Sequence, residues 1–290
     1  TCEPQKKIMF MKTHKTAGTS VMNIIERFAW RNNLTIALPN GGNADQFNYP
    51  NMFDAKRMVY PLLPWEREFD VICHHMRFNM KETNKTLPRN TTKYVTMLRE
   101  PGKLFESIFD YYYELVDIFH AVPSSSHDHL SQWLDKAPTL FKRRGYWFMG
   151  KNMAFYDLGF QNERESEEYL KSAVEKMERD FDLVMITDHF LESLILLKDL
   201  MCWDTVDLIS LKLNARKTSS KDQEPELREK IRNWNKADTY LFDHFNATLW
   251  RKVDAFGRQK MAQEIAELKQ MNSEFFRECV NVTGFVDANN

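Results

Sequence analysis

The sequence predicts an α/β protein, a three-layer sandwich with a mainly parallel central sheet. Short apolar runs alternate with segments of helical periodicity, the pattern of strands joined by crossover helices. Two of the runs end in polar loops that open directly into a helix. No apolar run reaches the roughly 18 to 20 residues needed to cross a bilayer.

The elements follow in order. Residues 7–11, "KIMFM", suit a buried strand. Residues 18–30 carry Val21, Ile24, Ile25 and Phe28 at helical spacing. Residues 35–38 read as a second strand, closed by "PNGG", a strong turn signal. Residues 69–74, "FDVICH", and 94–98, "YVTML", are a third and a fourth. After the fourth comes "REPG", with Pro101 suited to the first turn of a helix. From there Leu104, Phe105, Ile108, Phe109, Tyr112, Leu115 and Phe119 form one apolar stripe. A helix over 163–179, a fifth strand over 181–186 and a helix over 190–201 complete the alternation. Residues 217–226 form a polar loop, and 226–255 and 257–278 are long helical patterns. One domain over 1–290 is the simplest organisation. A length of 290 residues, 43% of them hydrophobic, supports one sizeable core.

A formal net charge of -1 argues against a general nucleic-acid partner. The four cysteines, Cys2, Cys73, Cys202 and Cys279, are compatible with two disulfides in any of three pairings. Asn33, Asn84, Asn90, Asn246 and Asn281 all head N-x-[ST] sequons. About two are expected by chance, so five favour the secretory lumen. All five lie in polar or turn-like stretches, as surface glycans require.

Two segments carry chemistry. The first is "KTHKTAGTS", between a buried strand and a helix. Such a loop turns backbone N–H groups and the positive end of the helix dipole toward an anion. Lys12 and Lys15 supply charge, and Thr16, Thr19 and Ser20 supply hydroxyls. Ala17 lies within the loop, and Gly18 admits a close backbone approach. The ATP/GTP loop G-x-x-x-x-G-K-[ST] is not matched, so a different phosphate-bearing ligand is expected. The second segment is "LREPGKLFES", with Arg99 at a strand's carboxyl end, where open α/β sheets bind ligands. Lys103 and Ser107 share a helix face behind it. Together the three suit a second phosphate, with Arg99 making a forked contact.

These paired anion sites resemble the donor site of sulfotransferases. With "LPNG", "ICHHMRF", "FYDLGF", "LLKDLMCW", "LKLNARK" and "FNATLWRKVDAFGR", the chain resembles the galactose-3-O-sulfotransferase family over most of its length. The resemblance implies a P-loop-like sulfotransferase fold and the donor 3'-phosphoadenosine 5'-phosphosulfate. The first loop would hold its 5'-phosphosulfate and the second its 3'-phosphate. Lys103 and Glu100 stand where the family usually carries Arg and Asp. The acceptor implied is a galactose-terminated glycolipid or glycan. The setting implied is the Golgi lumen, on a type II membrane anchor outside this sequence. In related enzymes a segment like Arg216, Lys217 and Thr218 folds over the adenosine and 3'-phosphate. Asn40, Arg77 and Phe78 flank the expected acceptor pocket.

Sulfuryl transfer needs a cation at the leaving oxygen and a base at the acceptor hydroxyl. Lys15 suits the first role. His75, at a strand end, and His14, inside the loop, compete for the second, with His75 ahead because related carbohydrate 2-O-sulfotransferases place a base there. His74 should point to the opposite side of its strand. No metal is expected, since the His and Cys residues show no tight ligand spacing. Two alternatives stay open: a sulfotransferase for another carbohydrate hydroxyl, of the uronyl or heparan 2-O type, and an inactive nucleotide-binding module.

Overall fold

The computed structural model describes residues 2–40, 45–126, 128–141, 146–210 and 224–279. Four strands, β1 (Ile8–Met11), β2 (Val71–Ile72), β3 (Lys93–Leu98) and β4 (Leu183–Ile186), form one parallel sheet in the order β2-β1-β3-β4. Every residue of β1 and β4 is buried. Side chains of a strand alternate between its two faces, so both faces are covered and the fold is a three-layer sandwich.

The helices are α1 (Gly18–Arg31), α2 (Ala55–Met58), α3 (Met80–Thr86), α4 (Pro101–Tyr112), α5 (His129–Leu140), α6 (Met153–Asp157), α7 (Glu167–Asp180), α8 (Phe190–Met201), α9 (Pro225–Trp234), α10 (Lys236–Phe256) and α11 (Arg258–Cys279). None among the described residues is long and apolar enough to cross a membrane.

The structure departs from the sequence expectations at identifiable points. Residues 35–38 do not form a strand: Ile36 makes only an isolated bridge to Val71, and the Asp70 carboxylate takes the Thr35 N–H at 2.9 Å. The expected strand over 69–74 keeps regular pairing only at Val71–Ile72. The apolar stripe after Pro101 leaves the helix at Tyr112, so Leu115 is exposed while Phe119 reaches the core from a separate 3-10 turn. The helix expected from Glu163 begins at Glu167, where the Ser166 hydroxyl caps Tyr169. The helix expected over 226–255 breaks at Asn235. There the side-chain oxygen takes the Asn152 N–H at 2.8 Å, and the side-chain amide donates back to the Ile231 carbonyl at 3.0 Å.

Cys2 and Cys202 are disulfide-bonded, but Cys73 is free and buried, so none of the three two-disulfide pairings forms. Asn33, Asn84 and Asn90 are exposed. Asn246 is not in a turn-like stretch: it lies half-buried within α10. Arg216, Lys217, Thr218 and Asn281 lie outside the described residues.

Candidate active site

β1 delivers the loop from Lys12 to Ala17, and α1 begins at Gly18 with no side chain capping its N-terminus. Lys15 and Ala17 both take left-handed backbone conformations, at φ 56° and 61°. Thr13 anchors the loop from below: its hydroxyl donates to the Met97 carbonyl of β3 and meets the Thr16 hydroxyl at 2.9 Å. Thr16 is therefore turned inward and fully buried, whereas Thr19 is exposed and Ser20 half-exposed. The Thr187 hydroxyl bridges the Thr16 and Leu98 carbonyls, tying the loop to β3.

The two lysines diverge. Lys15 sets its ammonium 3.5 Å from the centre of the Tyr111 ring, a cation–π contact. Lys12 is buried, its ammonium 3.6 Å from the Met22 sulfur, and burial lowers its pKa. The role of Gly18 is steric: a Cβ there would lie 2.8 Å from Lys12 Cγ, so the glycine makes room for the lysine stem.

Arg99 joins the two sequence segments, donating from Nη1 to the Lys15 carbonyl at 2.9 Å. Ser107 is buried on α4 below it. Glu100 caps α4 by accepting the Lys103 N–H, and it receives Arg228 at 3.2 Å and Arg232 at 3.0 Å. Lys103 reaches Asp188 at 2.8 Å. Burial alone would raise the Asp188 pKa, but the Lys103 ammonium and the Glu100 N–H hold it below the usual carboxylate value. Arg228, Arg232 and Asp188 were not singled out from the sequence, since each sits in an ordinary polar position.

The two candidate histidines stack, ring centres 4.3 Å apart and planes 18° from parallel. His75 donates from Nδ1 to the Lys12 carbonyl at 3.0 Å, which leaves Nε2 as its acceptor. Burial lowers its pKa well below the usual value, and the nearby His14 and Lys12 add to that. His14 meets Asp157 twice: its backbone N–H at 2.8 Å and its Nδ1 at 2.9 Å both reach Oδ2. The Tyr49 hydroxyl donates to the other carboxylate oxygen at 2.8 Å. Asp157 is 0% exposed and His14 3%. Asp157 ends α6 within "FYDLGF"; the sequence carried the segment but no sign of its partner, 143 positions away.

The expected acceptor residues do not converge. Arg77 stacks on Tyr156 at 3.8 Å. Phe78 is buried against Phe181, and lines a groove of about 570 Å³ whose walls include none of His14, Lys15, His75 or Arg99. Asn40 is exposed and donates its N–H to the Met58 carbonyl. His74 does face away from the histidine stack. With Glu26 and Cys73 it forms a group whose ligand atoms all lie within 4.8 Å of one another. This is a tighter ligand set than the sequence suggested. Lys12 lies beside it and offsets charge on Glu26.

The galactose-3-O-sulfotransferase family model matches residues 1–289. The chain belongs to the galactose-3-O-sulfotransferase family. Galactosylceramide sulfotransferase from Bos taurus is 39% identical over 290 residues, covering 99% of this chain and 67% of the relative. Galactose-3-O-sulfotransferase 3 from Homo sapiens is 42% identical over 279 residues, covering 94% of this chain and 63% of the relative. The chain thus spans roughly two thirds of the length of these relatives. A solved sulfotransferase from Alicyclobacillus acidocaldarius overlaps at a TM-score of 0.45 and 13% identity, covering 85% of this chain and 97% of that one. The expected family and enzyme class, a sulfotransferase of the galactose-3-O family, therefore hold.

Proposed function

We propose that this galactose-3-O-sulfotransferase family member moves the sulfuryl group of 3'-phosphoadenosine 5'-phosphosulfate to the 3-hydroxyl of a terminal β-galactose. The acceptor is a glycolipid or glycoprotein glycan. The observation that carries the reading is the junction at Lys15. Arg99 donates to its carbonyl, the uncapped α1 begins three residues on, and the residue before it, His14, stacks on His75.

On this reading the α1 N-terminus and Lys15 receive the 5'-phosphosulfate. Arg99, Lys103 and Ser107 receive the 3'-phosphate, with Lys12, Thr16, Ala17, Gly18, Thr19 and Ser20 shaping the loop. The acceptor oxygen attacks sulfur as the bond from sulfur to the phosphate oxygen breaks. The leaving oxygen gains charge, which the Lys15 ammonium offsets. The acceptor proton passes to a neutral histidine, His14 or His75. The products are the sulfate ester and 3'-phosphoadenosine 5'-phosphate. No step needs a metal.

The disulfide suits an oxidising compartment, in keeping with a Golgi-lumen catalytic domain over 1–290, anchored to the membrane outside this sequence. Nucleic acid is not a partner on this reading.

The test is turnover with radiolabelled donor on acceptors ending in β-galactose, with 3-O-blocked galactosides and uronic-acid polymers alongside. Sulfation of the open galactoside only is expected. Transfer to the uronic-acid polymer would support the 2-O alternative. Donor-nucleotide binding with no transfer to any acceptor would support the inactive module.

A further inference from the structure

We infer that Asp157, held by Tyr49, is the positioning residue that makes His14 rather than His75 the base, an inference that rests on the function proposed above. The two rings differ in what holds Nδ1. A carbonyl holds His75, and a carbonyl accepts a hydrogen bond without adding a full negative charge beside the ring. A carboxylate holds His14, buried and fixed by two further donors, the His14 N–H and the Tyr49 hydroxyl.

Both arrangements leave Nε2 free to accept a proton. Only one stabilises the imidazolium that results. Asp157 offsets the new charge on His14, as a buried carboxylate does for a general-base histidine. A proton on His75 would instead meet the Lys12 ammonium and the neighbouring His14, with no carboxylate on its Nδ1. Tyr49 stays protonated, because burial and then Asp157 push its pKa up, so it donates to the carboxylate at all working pH. His75 then stays neutral and holds the His14 ring by stacking.

The titratable groups around this ring come from several elements. They are Asp157 on α6, Tyr49 in the loop before α2, His75 after β2 and Tyr112 on α4, whose ring centre lies 6.2 Å away. Asp238 of α10 sits behind Asp157 and accepts the Phe155 N–H at 2.8 Å, which fixes α6.

The experiment is single turnover of the full chain with saturating donor and a β-galactoside, from about pH 5 to about pH 9. Asp157→Asn is expected to lower the transfer rate about 10²- to 10⁴-fold. The affinity for 3'-phosphoadenosine 5'-phosphate should not change. The acid limb of the residual activity should move to lower pH, because an amide stabilises imidazolium less than a carboxylate does. Placed on a His14→Ala background, Asp157→Asn should cost nothing further, since a residue acting through another loses its effect when that partner is gone. A wild-type rate and acid limb in Asp157→Asn would overturn the inference, as would a full additional loss on the His14→Ala background.

If Asp157→Asn does not fold, Tyr49→Phe carries the test. It removes a competing donor from the carboxylate, strengthens its hold on His14 and moves the acid limb to higher pH; an unmoved limb overturns the inference. Wild-type protein that neither binds the nucleotide nor transfers sulfate overturns the underlying function instead. A working wild type with indifferent variants overturns only the role of Asp157.

Discussion

The two ends of the proposed donor site hold their cations in different ways. At the loop end, Lys15 lies over the Tyr111 ring, and Arg99 of the α4 end reaches across to its carbonyl. At the α4 end, Lys103, Arg228 and Arg232 engage the carboxylates of Asp188 and Glu100. A cation–π contact attracts a cation through the ring quadrupole. A cation bonded to a buried carboxylate is partly neutralised but firmly placed. In the proposed function Lys15 meets the charge that develops during transfer, and the α4 end holds a fixed phosphate in register.

The largest test of this contrast is Lys15→Ala. It should lower kcat on the order of 10²- to 10³-fold, as loss of a cation aimed at developing charge does, while thermal unfolding stays near wild type. Wild-type kcat would remove Lys15 from the chemistry. Next is Arg99→Ala, expected to raise the donor KM about 10- to 100-fold through loss of a charge-assisted phosphate contact. Its kcat at saturating donor should fall less than that of Lys15→Ala. If kcat falls as far as in Lys15→Ala, the two ends do not differ as described.

The frame itself is probed by Glu100→Gln. Glu100 is buried while its arginine partners are partly exposed, so the cost to stability should be about 2 kcal/mol. Denaturant unfolding measures it, and an unchanged midpoint would mean that Arg228 and Arg232 are held by other groups.

The smallest effect concerns pH. The folded pKa of His75 lies well below its usual 6.5, so below that pH the unfolded chain binds a proton that the folded chain does not. The stability that His75 contributes is thus complete above about pH 6.5 and is lost as pH falls toward the folded value. His75→Asn should flatten the acid side of the stability profile by up to about 1.4 kcal/mol per pH unit. An identical slope in the variant would mean that His75 is protonated in the fold.

Local patterns made much of this legible. β1, the Lys12–Ser20 loop and α1 follow from an apolar run, a polar turn and a helical stripe in sequence, and "LREPG" announces both a strand end and a helix start. What stayed hidden depends on contacts distant in sequence. Asp157 acquires meaning only when α6 is brought against the loop. Arg228 and Arg232 look like any solvated helix face until α9 packs on α4. The break at Asn235 is set by the Asn152 backbone, which no helical periodicity registers. The residues 35–38 show the converse: a good strand pattern was left as a single bridge because side-chain and backbone groups near Asp70 took its hydrogen bonds.

The most direct test of the central claim is calorimetric titration with 3'-phosphoadenosine 5'-phosphate, beside adenosine 5'-phosphosulfate and ATP. The site described here predicts binding that depends on the 3'-phosphate and weakens at least about 10-fold in Arg99→Ala. Folded protein that binds none of these nucleotides, or that binds them alike with and without the 3'-phosphate, would mean that the Lys15 loop and the Arg99 helix do not form one donor site.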